Sequence, residues 1–335
     1  MDFEKIEEIL KNEPKFRLKQ VKNIIFQDLI ESWDKTTILP KNLRQKLSEN
    51  YPLEIFKTAK IFSSEDNQTI KALLTLKDGL KIESVLMKHK EGRRTVCLSS
   101  QIGCSMGCKF CATGQQGFKR NLSISEIINQ VLFFARILKK ENKKITNIVF
   151  MGMGEPFLNY DNVLSAIKIL NDKDGFNLGS RHISISTCGI IEKINKLSEE
   201  KLQINLAISL HAPDNKLRSE LMPINKEYPL NKVLETVDNY IKKTKRRVMF
   251  EYLTIDGVND SQKNAEDLAK ILKKPLYFIN LISYNPIGHS DFKSSSIFKV
   301  KKFKEILERN GVTVTQRHRF GKEIKAACGQ LAVNK

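Results

Sequence analysis

From Thr95 onward, short apolar runs alternate with longer amphipathic stretches: TVCLSS, ITNIVFMGM, HISISTCG, INLAISLH, RVMFEYLTI, YFINLISY and a last VTVTQR. Continuous apolar strands separated by helix-period segments signal a parallel sheet built of βα units. Six or seven such units approach a barrel without completing eight, so the expected fold is α/β with a partial (β/α)6-type barrel. In that architecture chemistry sits on loops at the C-terminal ends of strands. GCSMGCKFCATG follows the first strand, and GMGEP, STCG, SLHAP and SYNP follow later ones.

Upstream the pattern changes. Segments such as KFRLKQVKNIIFQDLI and PKNLRQKLSENY carry helical periodicity without a convincing strand, so residues 1–65 read as a small helical module. In TIKALLTLKDGLKIESVLMKHK, β-rich runs flank the turn signal Asp78-Gly79, which predicts a β-hairpin extension over 66–89. The barrel then occupies 90–335. No run of 18 apolar residues occurs and the N-terminus is acidic and amphipathic, so neither a membrane span nor a signal peptide is expected. The chain reads as cytoplasmic. Its formal net charge of +19 suggests a polyanionic partner, although a Lys-rich composition also arises from genomic nucleotide bias.

In a reducing compartment, six cysteines point to metal binding, catalysis or plain burial rather than to a disulfide scaffold. Cys104, Cys108 and Cys111 form CxxxCxxC in a glycine-rich loop. Thiolate suits zinc or iron–sulfur clusters, and a structural zinc site would close its tetrahedron with a fourth Cys or His, which is absent nearby. Three thiolates can instead hold three irons of a 4Fe-4S cube and leave the fourth iron open. The alternatives are a zinc site and three incidental buried cysteines.

The spacing resembles the radical S-adenosylmethionine (SAM) superfamily. The ordered set SSQIGCSMGCKFCATGQQGFKRNL, MGMGEP, AISLHAP, LMPIN, NLISYNP and AACGQL, spread over nearly the whole chain, resembles the dual-specificity RNA adenine carbon-2 methyltransferases within it. That family modifies one adenosine in large-subunit (23S) ribosomal RNA and one in the transfer RNA anticodon loop. Pro156 in GMGEP and the Gln115-Gln116-Gly117-Phe118 segment are associated with the carbon-2 branch; the alternative is a relative that methylates carbon 8. An alternative of another class is a non-catalytic RNA-binding ribosome-assembly factor with a structural cluster, which would need neither paired cysteines nor a base.

Site roles are what the resemblance implies. Carbon 2 of adenine is electron-poor and cannot attack a methyl group by displacement, so a radical carbon must add there. The family's pattern makes Cys104, Cys108 and Cys111 the ligands of one 4Fe-4S cluster and uses two SAM molecules per turnover. Cys328 accepts a methyl group, loses a hydrogen from it and adds to the base; Cys97 releases the product by a transient disulfide with Cys328; Glu83 accepts the carbon-2 proton. Gly154, Glu155, Ser186, Ser209, Leu210, His211 and Asn285 match the family's SAM contacts. Without the resemblance Glu83 reads as an exposed strand residue and His211 as a loop histidine, and Cys188 is taken as an ordinary buried thiol. An electron donor such as flavodoxin or ferredoxin and a monomeric state are expected. GFKRNL, TKRRV and VTQRHRFGK are candidate RNA contacts, with the N-terminal module as an RNA-binding accessory. The target base would have to leave its stack to reach a buried cysteine.

Overall fold

The structure is a computed structural model that describes residues 3–288, 290–317 and 320–332. Helices α1 (Phe3–Ile9), α2 (Phe16–Phe26) and α3 (Lys41–Asn50) form the N-terminal module. Their apolar faces bury Val21, Ile24, Leu43 and Leu47 together with Trp33, whose Nε1 donates to the Tyr51 carbonyl at 2.8 Å. The module is fastened to the barrel through Arg136, which donates to the carbonyls of Leu29 (3.0 Å) and Ile30 (2.7 Å), and through a Lys22–Asp172 ion pair at 2.6 Å.

Next come three antiparallel strands, β1 (Thr58–Ser63), β2 (Thr69–Thr75) and β3 (Lys81–Lys88). The hairpin about Asp78-Gly79 is present. The helical span expected to reach residue 65 ends earlier, because Thr58–Ser63 is an edge strand. All of β1 is exposed, so no burial alternation marks it in the sequence, and only the ladder to β2 makes it a strand.

β3 pairs antiparallel with β4 (Arg94–Cys97). A separate two-stranded pair, β5 (Gln101–Gly103) and β6 (Phe118–Asn121), then brackets the cysteine loop, which includes a short helix, α4 (Ala112–Gln115). From β4 the main sheet runs parallel through β7 (Asn147–Phe150), β8 (Ile183–Thr187), β9 (Asn205–Ser209), β10 (Val248–Thr254), β11 (Tyr277–Ser283) and β12 (Val314–Gln316), in sequence order. Each expected apolar run is one of these strands.

Helices α5 (Ile124–Lys140), α6 (Tyr160–Asn171), α7 (Ile191–Ser198), α8 (Asn215–Leu221), α9 (Leu230–Thr244), α10 (Gln262–Leu272) and α11 (Ile297–Arg309) occupy the connections. The α5 start is set locally by a capping box: Ser123 Oγ accepts from Glu126 N, and the Glu126 carboxylate accepts from Ser123 N. The sheet does not close, since β1 and β12 are its two edges. The C-terminal segment 320–332 returns to the barrel mouth without forming a strand. No helix among the described residues is long and apolar enough to cross a membrane.

Trp33→Ala should lower the stability of the N-terminal module by about 3–5 kcal/mol, the usual cost of emptying a large aromatic site. Hydrogen exchange of α1–α3 amides should quicken while that of β7–β10 stays unchanged; uniform protection throughout would count against Trp33 as the module's core residue.

Candidate active site

The cysteine loop is shaped by glycine at one unavoidable close approach. Gly103 has φ +71°, and a Cβ there would lie 1.8 Å from the Gly117 carbonyl oxygen. With no side chain in the way, β5 and β6 close, and Cys104 N donates to Gly117 O at 3.0 Å. The loop is held from the other side by the C-terminal segment. Ala112 N donates to Gly329 O at 2.8 Å and Thr113 Oγ1 to Leu331 O at 2.5 Å.

Cys104, Cys108 and Cys111 line one cavity of about 150 Å³ at the C-terminal ends of the parallel strands. Gly154, Glu155, Ser186, Ser209, His211 and Cys328 share it. Gly154, at φ +98°, runs against Gln101, and a Cβ there would come within 2.4 Å of the Gln101 side chain. The buried Glu155 carboxylate accepts from Phe157 N (3.0 Å) on one oxygen and from Cys188 N (2.8 Å) on the other, with the Thr187 and Cys188 side chains also hydrogen-bonded to it. Burial raises its carboxyl above the ordinary range, opposed by those N–H groups. His211 accepts from Leu253 N on Nδ1 at 3.0 Å, and burial pushes its imidazole down to about 3. The ring is therefore neutral, with its proton on Nε2.

Two further residues expected to touch SAM border this cavity rather than line it. Leu210 lies in the wall, its N–H given to Glu251 O (3.0 Å) and its carbonyl taken by Arg218 Nε (3.3 Å). Asn285 lines an adjoining small cavity together with Cys97, Cys328 and Arg317. Val85 and Met87 face that same small cavity, and Glu83, in period-2 alternation with them, lies on the same face of β3. Glu83 is buried, pairs with Lys71 Nζ at 2.9 Å and accepts from Ala332 N at 2.9 Å. Burial raises its carboxyl, and the Lys71 ammonium and the Ala332 N–H oppose that rise.

Residues 98–269 match the Radical SAM superfamily. A relative from Dictyoglomus thermophilum, described as a probable dual-specificity RNA methyltransferase RlmN, is 47% identical over 98% of this chain and 94% of its own. A relative of the same description from Carboxydothermus hydrogenoformans is 50% identical over 96% and 92%. The crystal structure of a radical SAM methyltransferase from Sphaerobacter thermophilus matches with a TM-score of 0.96 and 41% identity, covering 99% of this chain and 97% of that one. The chain belongs to the RlmN family of radical SAM RNA methyltransferases.

An RlmN-type enzyme implies an iron–sulfur cluster, SAM and an RNA substrate, and the donor set suits the first two. Burial pushes the Cys104 thiol up to about 12 and raises the Cys108 thiol well above its ordinary value, so these sulfurs give up their protons readily only to a bound cation. Two buried acceptors near the site, Glu251 Oε1 and Asn285 Oδ1, have no hydrogen-bond partner among the described residues and can receive ligand donors. All six cysteines are free thiols.

Reading the sequence as an RlmN family member missed three charged residues of this site. Arg218 is wholly buried and donates to the carbonyls of Cys188 (2.6 Å), Ser209 (3.1 Å) and Leu210, tying the loops after β8 and β9 together. An arginine on a short helix carries no local sign of such burial. Glu251 accepts from Ser186 Oγ at 2.9 Å, and Arg317 Nη1 lies 3.6 Å from Glu251 and 3.3 Å from Met151 Sδ. Arg317 belongs to the expected RNA patch VTQRHRFGK but faces into the barrel; His318 and Arg319 of that patch lie outside the described residues. Arg120 of GFKRNL is likewise engaged, bonded to both Asp78 and Glu126 at 2.7 Å. Cys188, taken as an ordinary buried thiol, lines the cavity with its Sγ 3.3 Å from Met106 Sδ.

Gly103→Ala should reduce iron bound per chain after anaerobic reconstitution several-fold with far-UV circular dichroism unchanged. Gly79→Ala, also at positive φ but with nothing within 4 Å of its Cβ, should leave iron content as it is. Equal iron in both variants would show that the Gly103–Gly117 approach does not shape the loop.

Proposed function

We propose that this RlmN-family enzyme methylates carbon 2 of adenine in 23S ribosomal RNA and in the transfer RNA anticodon loop, through a methyl group carried on Cys328. The observation that supports this best is the shared cavity. Cys97 from β4 and Cys328 from the returning C-terminal segment, far apart in sequence, line one small enclosure with Arg317. A binder with a structural cluster has no use for that pair.

In this reading Cys104, Cys108 and Cys111 hold one 4Fe-4S cluster, and SAM, two molecules per turnover, lies against Gly154, Glu155, Ser186, Ser209, His211 and Asn285. Together they supply methyl groups and one-electron chemistry when bound. Cys328 takes the methyl group as a thiolate. Its thiol is raised by burial and lowered by the Arg317 guanidinium, which favours the charged nucleophile. Once the methylene bridges Cys328 and carbon 2, Glu83 takes the carbon-2 proton. Cys97 then attacks the Cys328 sulfur. A sulfur–sulfur bond forms and the sulfur–carbon bond breaks, its electron pair going to the methylene carbon, which takes up a proton to become methyl. Burial pushes the Cys97 thiol up to about 12, with Cys328 raising and Arg317 lowering it, so this thiol stays protonated until it is needed. The unpaired electron left on the ring after radical addition passes to an acceptor such as the cluster. A one-electron donor such as flavodoxin or ferredoxin in the cytoplasm supplies the electron for each new SAM cleavage. A cellular dithiol returns the Cys97–Cys328 disulfide to two thiols with two electrons and two protons.

Cys97→Ala should still methylate Cys328 and add to RNA but fail to let go. A nuclease-sensitive, slower band on denaturing gels is expected for that variant alone, with Cys328→Ala forming neither methylcysteine nor adduct. If Cys97→Ala with an intact cluster gave no adduct, Cys97 would not be the resolving thiol. Nucleoside analysis of RNA from a complemented deletion strain should show 2-methyladenosine; 8-methyladenosine alone would move the enzyme to the carbon-8 branch.

The Lys71–Glu83 pair sets a pH dependence. Glu83 accepts a proton only when ionised, so activity is lost as pH falls through its raised pKa. Lys71→Met removes the opposing charge and raises that pKa further, moving the acid limb of the RNA methylation profile to higher pH while Cys328 methylation keeps its own profile. An unmoved acid limb would separate Glu83 from the proton step.

A further inference from the structure

Among the described residues, the buried side chains that carry charge are Lys71, Glu83, Glu155, Arg218, Glu251 and Asp260. Most are answered by a side chain of opposite sign: Lys71 and Glu83 by each other at 2.9 Å, Glu251 by Arg317 at 3.6 Å and Asp260 by Lys299 at 3.6 Å. Glu155 has no such partner, but it lines the cavity assigned to cationic SAM. Arg218 is wholly buried, lines neither that cavity nor the thiol enclosure, and has no carboxylate within ion-pairing distance among the described residues. A buried cation without an anion is costly, so its place in the fold calls for a source of negative charge.

Its hydrogen bonds are complete. Nε donates to Leu210 O (3.3 Å), Nη1 to Asn225 Oδ1 (2.8 Å) and Tyr228 O (3.3 Å), and Nη2 to Cys188 O (2.6 Å) and Ser209 O (3.1 Å). These use all five N–H donors of the guanidinium, and every acceptor is a neutral oxygen. No donor remains for a carboxylate or phosphate of an incoming ligand, so the charge acts only through space. Within its electrostatic reach lie two sulfurs, those of Cys108 and Cys188. Packing explains that reach. Cys188, whose carbonyl takes the shortest of the five bonds, sets its Sγ 3.3 Å from Sδ of Met106, the residue between Cys104 and Cys108 that the cavity also exposes. From the other side, Lys109 N donates to Leu221 O at the end of α8 (3.0 Å), and a Cβ on Gly107 would lie 3.7 Å from Pro223 Cγ. Helix α8 therefore carries Arg218 to a place directly behind the loop that presents Cys108.

We infer that Arg218 is the built-in counter-cation of the iron–sulfur cluster and raises its reduction potential. The inference rests on the reading of Cys104, Cys108 and Cys111 as the cluster's ligands. Three thiolates bring negative charge into a buried loop, and the guanidinium behind Cys108 opposes it. The electron delivered by the one-electron donor adds a further negative charge at the same place, so a fixed cation favours the reduced form. Net charge and burial are among the levers by which a protein sets such a potential. Salt screens a buried interaction of this kind much less than a surface one. Arginine suits the position because it stays ionised without an acidic partner, and its fork of donors lets neutral carbonyls hold it there.

Two substitutions cancel the charge by different routes. Arg218→Gln deletes the guanidinium, whereas Asn225→Asp leaves it in place and sets a carboxylate where Asn225 Oδ1 now accepts from Nη1. Arg218→Lys keeps the charge but gives up most of the carbonyl bonds. Each full-length protein is reconstituted anaerobically and titrated with redox mediators in the absence of SAM, the reduced cluster being followed by electron paramagnetic resonance. Arg218→Gln should shift the reduction equilibrium at least tenfold against the reduced form, a midpoint about 59 mV lower for a one-electron couple. Asn225→Asp should shift it several-fold in the same direction, and Arg218→Lys should stay within threefold of wild type. An Asn225→Asp equilibrium within twofold of wild type would overturn the inference. So would an Arg218→Lys protein that falls as far as Arg218→Gln, since the effect would then follow the lost hydrogen bonds and not the charge. If either Arg218 variant takes up no cluster, Asn225→Asp decides alone. Wild-type protein with no 4Fe-4S signal after reconstitution would instead refute the cluster reading itself, and the inference with it.

Discussion

The return of the C-terminal segment to the mouth of the barrel is held by a few hydrogen bonds to its backbone. Ala112 N to Gly329 O and Thr113 Oγ1 to Leu331 O fasten it to the cysteine loop, and Ala332 N to the Glu83 carboxylate fastens it to β3. Gly329, at φ +81° with its Cβ position 3.1 Å from Phe110 O, lets the two backbones approach this closely. These bonds bring Cys328 beside Cys97, and they join the thiol enclosure to the loop that carries the other three cysteines. Closing so long a loop costs little more entropy than closing a shorter one, so a handful of hydrogen bonds suffices.

Charge inside the barrel follows from the same economy of contacts. An uncompensated buried ion is strongly destabilising, and each one here has an identifiable partner. Lys71 answers Glu83, Arg317 stands near Glu251, backbone N–H groups answer Glu155, and the fully buried Arg218 is met by main-chain carbonyls and Asn225. Arg218 has a second consequence. By gathering the carbonyls of Cys188, Ser209 and Leu210 it fixes the loops that present Ser209 and His211 to the cavity. The site is thus a set of polar groups already oriented before any ligand arrives, which is what electrostatic preorganisation requires.

Much of this was legible in residue order alone. Each parallel strand announces itself as a short apolar run, because a strand covered by helices on its outer face needs apolar residues there whatever its neighbours are. The cysteine spacing and its glycines are equally local: CxxxCxxC places three sulfurs on one loop, and Gly103 and Gly117 permit that loop to close. The identity of β1 was not legible, since an exposed edge strand has no burial pattern and exists only through its ladder to β2. The pair β5 and β6 was missed for a similar reason, being three and four residues long and bulged at Ile102/Gly103.

Charged residues divide along the same line. Composition and sequence fix how many cations there are, but the partner of each depends on strand register and on which segments cross the barrel. Arg120 and Arg317 sit in stretches that read alike as basic surface, yet one is neutralised by Asp78 and Glu126 and the other turns inward toward Glu251. Lys71 and Glu83 are brought together by the β2–β3 register, which no pattern in either strand reveals. The sequence by itself determined the barrel, the cysteine loop and the family's chemistry, because those depend on spacing along the chain. Tertiary structure alone decided which thiol faces which and which carboxylate is buried beside which cation, because those depend on distances through space.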